Sequence, residues 1–310
     1  MAQTASADQT LRQTCFVTGA NRRYFWLVAA AVQSLREQAP SIDIRVMDFG
    51  FSEQQAAFLA DRGILLARPA RVPANLHPYT LKTLFANYVA GLPHENFVWF
   101  DSDMLCTNPG IARVAALIRT MREKGAIVAA CQDMGPHPTL SSFAKAFHAP
   151  ALMKFVEENP GMEDRPYLNT GFIVFSSAAR FLAEWPRITA RIQGEVCIDQ
   201  NAFNILFHGN PGAGAILPAT RWNVHSGLLP SVREQQGHLS CHEDDVTLLH
   251  CTSNGNEHHE EADISIRIAG VEQKAVFKTF RQPRLRELHL GALSRFLKDN
   301  APQLKACGVA

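Results

Sequence analysis

Strand-like and helix-like segments alternate along the first half of the chain. The strand-like segments are short apolar runs, and the helix-like segments between them are longer and end near glycine or proline. The strand-like segments are 14–18, 43–50, 63–69, 97–100 and 125–134, and the helix-like segments are 24–40, 53–62 and 77–93. This alternation predicts an α/β fold with a mainly parallel sheet and helices on both faces. Ligands of such sheets bind beyond the carboxyl ends of the strands.

Length and composition fit a globular protein with a sizeable core. The chain has 310 residues, 46% of them hydrophobic and 19% charged, with a net charge of +1. This balance argues against disorder and gives no indication of nucleic-acid binding. The polar start and the short apolar run 24–32 predict neither a signal peptide nor a membrane span. The seven cysteines form no Cys-x-x-Cys pair, so we expect reduced thiols in a cytoplasmic protein.

The segment FVWFDSDMLC, residues 97–106, ends a strand-like run with two aspartates. Side chains two residues apart in an extended chain point the same way, so Asp101 and Asp103 are expected on one face. Two carboxylates this close repel each other unless a cation lies between them, and a divalent metal is the usual one. A tight turn that uses aspartate as a local acceptor is the alternative. The position at the carboxyl end of a strand favours a ligand site.

Four segments, in this order, resemble the GT-A glycosyltransferases, specifically those of the glycosyltransferase family 8 type. They are FDSDM (100–104), YLNTGFIVFS (167–176), DQNAFN (199–204) and LLHCTS (248–253), the last preceded by RWN (221–223). The resemblance spans roughly residues 14–255. It implies transfer of a hexose, with retention, from a nucleoside diphosphate sugar to a sugar or glycolipid-type acceptor. Uracil is the base expected by analogy.

The resemblance also implies roles for individual residues. Mn²⁺ or Mg²⁺ is expected on Asp101, Asp103 and His250, since a hard cation takes carboxylate oxygens and one imidazole. The nucleotide donor is expected on Thr18, Gly19, Asn21, Lys82, Ser102 and Thr170, together with the two motif aspartates. Asn169, Asp199 and Gln200 are the expected catalytic residues, with Asn169 and Thr170 in a turn that faces the donor sugar. Gln132 and Asp133 resemble positions on the acceptor side.

Several of these positions also have ordinary structural interpretations. Lys82 can be a solvated helix lysine, and Asp199 can cap the helix that begins at DQNAFN. His250 can be a strand histidine hydrogen-bonded in the interior.

Two departures from the family pattern bear on mechanism. The family often has an acid where this chain has Asn201, which removes one candidate nucleophile and favours a front-side route assisted by the leaving phosphate. Ser253 and Asn256 stand where the family commonly has glycine and lysine after its metal histidine. The missing lysine weakens neutralisation of the diphosphate, although His258 or His259 can substitute.

Three other interpretations remain open. An Asp-x-Asp after an apolar strand also resembles haloacid-dehalogenase phosphatases, in which the first aspartate attacks phosphorus. HEDDV, residues 242–246, would then hold Mg²⁺, although Met104-Leu105 replaces that family's usual Gly-Thr-like pair. The losses at Asn201 and Asn256 leave a catalytically inactive sugar-nucleotide-binding module as a second interpretation. A zinc site is a third possibility, because the chain has residues of the right ligand types, although their spacing does not match that of usual zinc sites. Its candidate residues are Cys241, His242, His250, Cys251, His258 and His259.

The end of the chain is basic and amphipathic. We predict a GT-A domain over residues 1–265 and a basic extension over 266–310 that packs on it. Leucine and phenylalanine recur at approximate helical spacing between 285 and 297, among an excess of lysine and arginine. Such a helix can pack on its own domain or lie on an anionic membrane that carries lipid-linked acceptors.

Overall fold

A computed structural model describes residues 9–73, 76–252, 257–268 and 270–309. The strands are β1 (Thr14–Ala20), β2 (Asp43–Asp48), β3 (Leu65–Leu66), β4 (Asn96–Phe100), β5 (Met104–Cys106), β6 (Val128–Gln132), β7 (Leu168–Ser176), β8 (Gly214–Leu217), β9 (Val232–Gln235), β10 (His238–Cys241), β11 (Asp244–Asp245), β12 (Leu248–His250), β13 (His259–Ile268) and β14 (Val271–Phe280). The α-helices are α1 (Phe25–Gln38), α2 (Glu53–Asp61), α3 (Pro78–Thr83), α4 (Phe85–Val89), α5 (Val114–Glu123), α6 (Leu140–Ala146), α7 (Pro150–Glu158), α8 (Trp185–Arg191), α9 (Ile198–Gly209), α10 (Ala219–Trp222) and α11 (Pro283–Ala306). Short 3₁₀ helices cover Arg22–Tyr24, Pro109–Arg113, Arg180–Glu184 and Ser226–Ser231.

The main sheet has seven strands in the order β3-β2-β1-β4-β7-β6-β8. All neighbouring pairs are parallel except those of β7, which runs antiparallel to both β4 and β6. The predicted mixed, mainly parallel sheet is therefore confirmed. Because β7 is reversed, its amino end lies at the edge where the other strands have their carboxyl ends.

Both faces of the sheet are covered, as predicted. Alternate residues of β4 enter different cores, because successive side chains of a strand point to opposite faces. Val98 and Phe100 pack in the core that contains α1, whereas Phe97 and Trp99 pack in the core that contains Phe85 of α4. Burial on both faces explains why the central strands are continuous apolar runs.

Two predicted elements differ from the structure. The segment 63–69 contributes only the two-residue strand β3, and the predicted helix 77–93 is divided into α3 and α4 at Leu84. Thr83 at the end of α3 turns its hydroxyl back to donate to the carbonyl of Thr80 at 2.7 Å, a bond that competes with regular helix geometry. Helix α2 begins with a capping box formed by Ser52 and Gln55.

The C-terminal segment contains a hairpin that the sequence pattern did not predict. β13 and β14 pair along their whole length, and the boundary at residue 265 falls within β13, so the division into 1–265 and 266–310 stays a prediction. Helix α11 follows and buries its apolar side, for example Leu293 and Phe296. The Phe296 ring lies 5.8 Å from that of Phe58 in α2. Within the described ranges, no helix has the length and apolarity needed to cross a membrane.

His289 of α11 leads to a pH prediction. It is fully buried between Phe277 and Phe280, with ring centroids 4.7 and 5.6 Å away, and burial lowers its pKa to about 3. In the unfolded chain this histidine binds a proton near pH 6.5, whereas in the folded chain it stays neutral until about pH 3. Below pH 6.5 the unfolded chain therefore holds more protons, and the free energy of unfolding falls as the pH falls. Between about pH 7 and pH 5, we expect the wild type to lose about 2 kcal/mol more unfolding free energy than His289→Leu.

Urea denaturation at the two pH values measures this difference. His238→Gln, which changes an exposed histidine, should keep the wild-type pH dependence. Equal losses in the wild type and His289→Leu would contradict a neutral buried His289.

Candidate active site

Polar residues from four elements meet at the carboxyl edge of the sheet. Asp101 follows β4, and its backbone N–H donates to the carbonyl of Gly171 in β7 at 2.8 Å. Thr170 of β7 donates its hydroxyl to Asp199 Oδ2 at 3.1 Å, in the first turn of α9. Lys82 of α3 lies between them, 2.8 Å from Asp101 Oδ1. The reversed strand thus brings its first residues beside the motif aspartates.

A cavity of about 240 Å³ opens at this edge. Its lining includes every residue expected to bind the metal or the donor or to act in catalysis, except Thr18; these are Gly19, Asn21, Lys82, Asp101, Ser102, Asp103, Asn169, Thr170, Asp199, Gln200 and His250. Gln132 and Asp133, expected on the acceptor side, are not part of this lining. Thr18 is fully buried within β1, so its expected contact with the nucleotide is not supported. Asn169 and Thr170 lie within β7 and not in a turn before it. That prediction was wrong because β7 begins at Leu168.

Asp101, Asp103 and His250 form a cluster that can hold a metal. Each offers one ligand atom, and these atoms lie within 4.8 Å of one another. His250 Nε2 is 3.2 Å from Asp103 Oδ1 and 3.7 Å from Asp101 Oδ2. The histidine comes into place because β12 pairs with β5, with His250 opposite Met104. Two carboxylates and an imidazole suit a divalent cation such as Mn²⁺ or Mg²⁺.

Gly171 allows the histidine to approach β7. A Cβ added at this glycine would meet His250 Cε1 at 2.5 Å and Nδ1 at 2.7 Å. On local grounds the Asn-Thr-Gly sequence at 169–171 favours a turn, with Gly171 free to take a positive φ. The structure instead places it in a strand, where it is needed because no side chain fits beneath the imidazole.

A chain of hydrogen bonds determines which nitrogen of His250 faces the aspartates. The Asp133 carboxylate accepts from Asn169 Nδ2 at 3.0 Å, which orients the Asn169 amide. Asn169 Oδ1 then accepts from Asn223 Nδ2, and Asn223 Oδ1 lies 2.8 Å from His250 Nδ1. An acceptor at Nδ1 requires the proton there, so the lone pair of Nε2 in the neutral ring points toward the carboxylates.

Lys82 is a buried cation, not the solvated lysine of the structural interpretation. Its ammonium group contacts Asp101 at 2.8 Å, Thr170 Oγ1 at 3.1 Å and Asp199 Oδ2 at 3.4 Å. Burial by itself would lower the pKa of Lys82, but the two carboxylates outweigh it and raise the pKa above its ordinary value. Asp101 also accepts from Trp99 Nε1 at 2.8 Å. Lys82 therefore orients both carboxylates.

Lys278 of β14 reaches Asp103 from the opposite side, and no sequence motif pointed to it. Its Nζ lies 2.5 Å from Asp103 Oδ2. Burial by itself would raise the pKa of Asp103, but Lys278 and His250 lower it well below its ordinary value. The pairing of Glu261 with Lys278 across the hairpin places both side chains in the cavity wall. Only the fold of the hairpin brings this lysine near residue 103.

The start of α9 positions Asp199 and Gln200. Cys197 precedes the helix in a left-handed conformation with φ of 52°, so Asp199 lies in the first turn and is not the cap. The side chain of Gln200 donates to Asp133 and accepts from the backbone N–H of Thr170, both at 3.2 Å. Asn201 is fully buried and bonds to Tyr167 and Glu195. It therefore has a structural role outside the cavity.

The alternative sites do not assemble in the described residues. Asp244 and Asp245 of HEDDV pair with Arg221 and Arg113, away from the motif aspartates. The cysteines and histidines proposed for zinc form no ligand cluster there. Ser253 and Asn256, the two departures after His250, lie outside the described residues.

One further cluster has metal-ligand types: Cys15, Asp43 and His94. The Arg45 side chain binds Asp43 through Nε at 2.9 Å, and burial raises the pKa of the Cys15 thiol to about 12. A thiol that keeps its proton and a carboxylate that is already paired make poor metal ligands.

Comparison with solved structures confirms the fold. GlyE of Streptococcus pneumoniae TIGR4, described as a glycosyltransferase, matches with a TM-score of 0.54 and 12% identity over 94% of this chain and 64% of GlyE. WbbM, described as a bifunctional glycosyltransferase, matches with a TM-score of 0.51 and 17% identity over 78% of this chain and 46% of WbbM. This chain thus spans less than two thirds of either protein. Protein-family models and curated proteins gave no match.

At these identities the similarity establishes the fold, which is that of the GT-A glycosyltransferases, as the four sequence segments led us to expect.

Asn223 provides a test of the cluster that does not alter its ligands. Asn223→Ala removes the acceptor that keeps the proton on His250 Nδ1, so we expect Mn²⁺ affinity to fall about 10- to 100-fold. Electron paramagnetic resonance of free Mn²⁺ during a titration measures this affinity. Asn223→Asp keeps an acceptor for His250 Nδ1 but loses the donor to Asn169 Oδ1, so we expect its Mn²⁺ affinity to lie between those of Asn223→Ala and the wild type.

Asn87→Ala, a change at an exposed asparagine, is the matched control. Unaltered Mn²⁺ binding by Asn223→Ala would show that the hydrogen-bond chain does not orient His250 for a metal.

Proposed function

We propose that the protein is a metal-dependent glycosyltransferase that moves a hexose from a nucleoside diphosphate sugar to a carbohydrate or glycolipid-type acceptor. UDP is the proposed nucleotide, and Mn²⁺ or Mg²⁺ is the proposed metal. The observation that carries the proposal is the Asp101–Asp103–His250 cluster, which lies at the ligand-binding edge of a GT-A fold.

The donor set fits the proposed metal. Hard divalent cations bind carboxylate oxygens, and the free Nε2 of His250 adds a nitrogen on the same side. When bound, the cation supplies positive charge to the diphosphate as it leaves the sugar. Lys82 keeps Asp101 oriented for this task through a short ion pair within the buried edge of the sheet.

Other residues of the cavity have separate proposed roles. Gly19 and Asn21 lie at the end of β1, where we place the nucleoside, and Ser102 lies between the metal ligands. Gly19 is packed so closely on the Phe49 ring that an added Cβ would lie 2.6 Å from it. Asn169, Asp199 and Gln200 also line the cavity, and we place the hexose and its anomeric carbon beside them.

We propose retention of configuration by a front-side route in which the leaving phosphate assists. A covalent intermediate needs a free carboxylate beside the anomeric carbon. Asp199 is engaged by Lys82 and Thr170, and the Asp133 carboxylate is engaged by Asn169 and Gln200. These contacts favour a route without an enzyme nucleophile.

A reducing compartment, such as the cytoplasm, belongs to the same proposal. All seven cysteines lie in the described residues and are free thiols.

Calorimetric titration of UDP tests the donor site. With saturating Mn²⁺ we expect UDP to bind, and with EDTA we expect binding to be lost. Asp103→Asn removes a metal ligand while preserving the side-chain shape, so we expect UDP affinity in Mn²⁺ to fall at least about tenfold. Asp61→Asn, which alters an exposed aspartate of α2, should bind UDP as the wild type does.

Equal UDP affinity with Mn²⁺ and with EDTA would contradict metal-dependent donor binding. Metal-dependent UDP binding without hydrolysis or transfer of any UDP-hexose would support the inactive binding module instead.

A further inference from the structure

The hairpin of β13 and β14 forms one wall of the active-site cavity. Its two cavity residues are cross-strand partners, Glu261 and Lys278. Glu261 is tied to the rest of the domain through an ion pair with Arg23 and a hydrogen bond of 3.4 Å from Tyr24. Lys278 is the member that points a positive charge at the metal cluster, with its side chain only 15% exposed.

The two lysines of the cavity differ in how fully they are engaged. Lys82 contacts two carboxylates and the Thr170 hydroxyl. Lys278 has one salt bridge among the described residues, to Asp103 Oδ2. An ammonium group has three N–H donors, so Lys278 can donate hydrogen bonds to further acceptors inside the cavity.

Charge balance indicates when such a partner becomes favourable. The described lining carries the carboxylates Asp101, Asp103, Asp199 and Glu261, whereas its ammonium groups are Lys82 and Lys278. A divalent cation on Asp101 and Asp103 neutralises the carboxylate that Lys278 now pairs with. The attraction between Lys278 and Asp103 then weakens, and a diphosphate becomes the strongest anion within its reach.

We propose that Lys278 is a donor-binding residue that contacts the diphosphate when the metal site is filled. It pairs with Asp103 before the metal binds and transfers part of its hydrogen bonding to the phosphate oxygens afterwards. This inference rests on the proposed function, because it needs a nucleoside diphosphate in the cavity. It assigns the hairpin a direct part in donor binding.

The test compares UDP with uridine at saturating Mn²⁺, using calorimetry on the full chain. For Lys278→Met we expect UDP affinity to fall about 10- to 100-fold, as for loss of a hydrogen bond to a charged group. Uridine lacks the diphosphate, so its affinity should not change. Mn²⁺ affinity without nucleotide should not fall, because Lys278→Met removes a cation that competes for Asp103.

Lys274→Met is the matched control, since Lys274 is an exposed lysine of the same strand. It should leave both affinities unchanged. Unchanged UDP affinity in Lys278→Met, or an equal loss for UDP and uridine, would overturn the role of Lys278 and leave the proposed function intact. Absence of UDP binding by the wild type would overturn the proposed function and, with it, this inference.

Discussion

A single buried ammonium group, that of Lys82, holds the active-site edge together. It joins α3 to the end of β4 through Asp101, to β7 through Thr170 and to the first turn of α9 through Asp199. A buried charge is costly unless it is paired and hydrogen-bonded, so these elements must be in place together. The same contacts keep Asp101 and Asp199 oriented. The stability of this edge and the geometry of the candidate site therefore depend on the same residue.

The reversal of one strand determines what surrounds that lysine. If β7 were parallel, its first residues would lie at the opposite edge of the sheet, far from Asp101. Because β7 is antiparallel, Asn169 lies between Asp133 and Asn223 and hydrogen-bonds to both. Asn223 in turn contacts His250 Nδ1 and orients the imidazole. Gly171 leaves room for the imidazole. The geometry of the Asp101–Asp103–His250 cluster therefore depends on residues outside the cluster.

The sequence predicted the parts of the site that follow local rules. The apolar run before Asp101 and the start of α9 are visible in short windows. The extended chain expected between Asp101 and Asp103 was wrong, because residues 101–104 form a turn in which the backbone N–H of Met104 donates to the Asp101 carbonyl at 3.1 Å. Trp99 was within reach too, since it lies two residues before Asp101 on the same strand face. The position of Lys278 could not be predicted, because it depends on the pairing of β13 and β14, two polar strands whose sequences lack a strong strand pattern. The sequence also did not show that Thr18 lies outside the cavity lining, because alternation along β1 does not reveal which face borders the cavity.

The proposed function depends most on whether Asp101, Asp103 and His250 hold a divalent cation for a nucleotide. A crystal structure of the protein grown with Mn²⁺ and UDP, with anomalous diffraction data collected for manganese, tests it directly. We expect an anomalous peak at coordination distance from the carboxylates of Asp101 and Asp103 and from His250 Nε2, with the diphosphate completing the coordination. A well-ordered UDP with no manganese on these three residues, or with manganese on Cys15, Asp43 and His94, would contradict it.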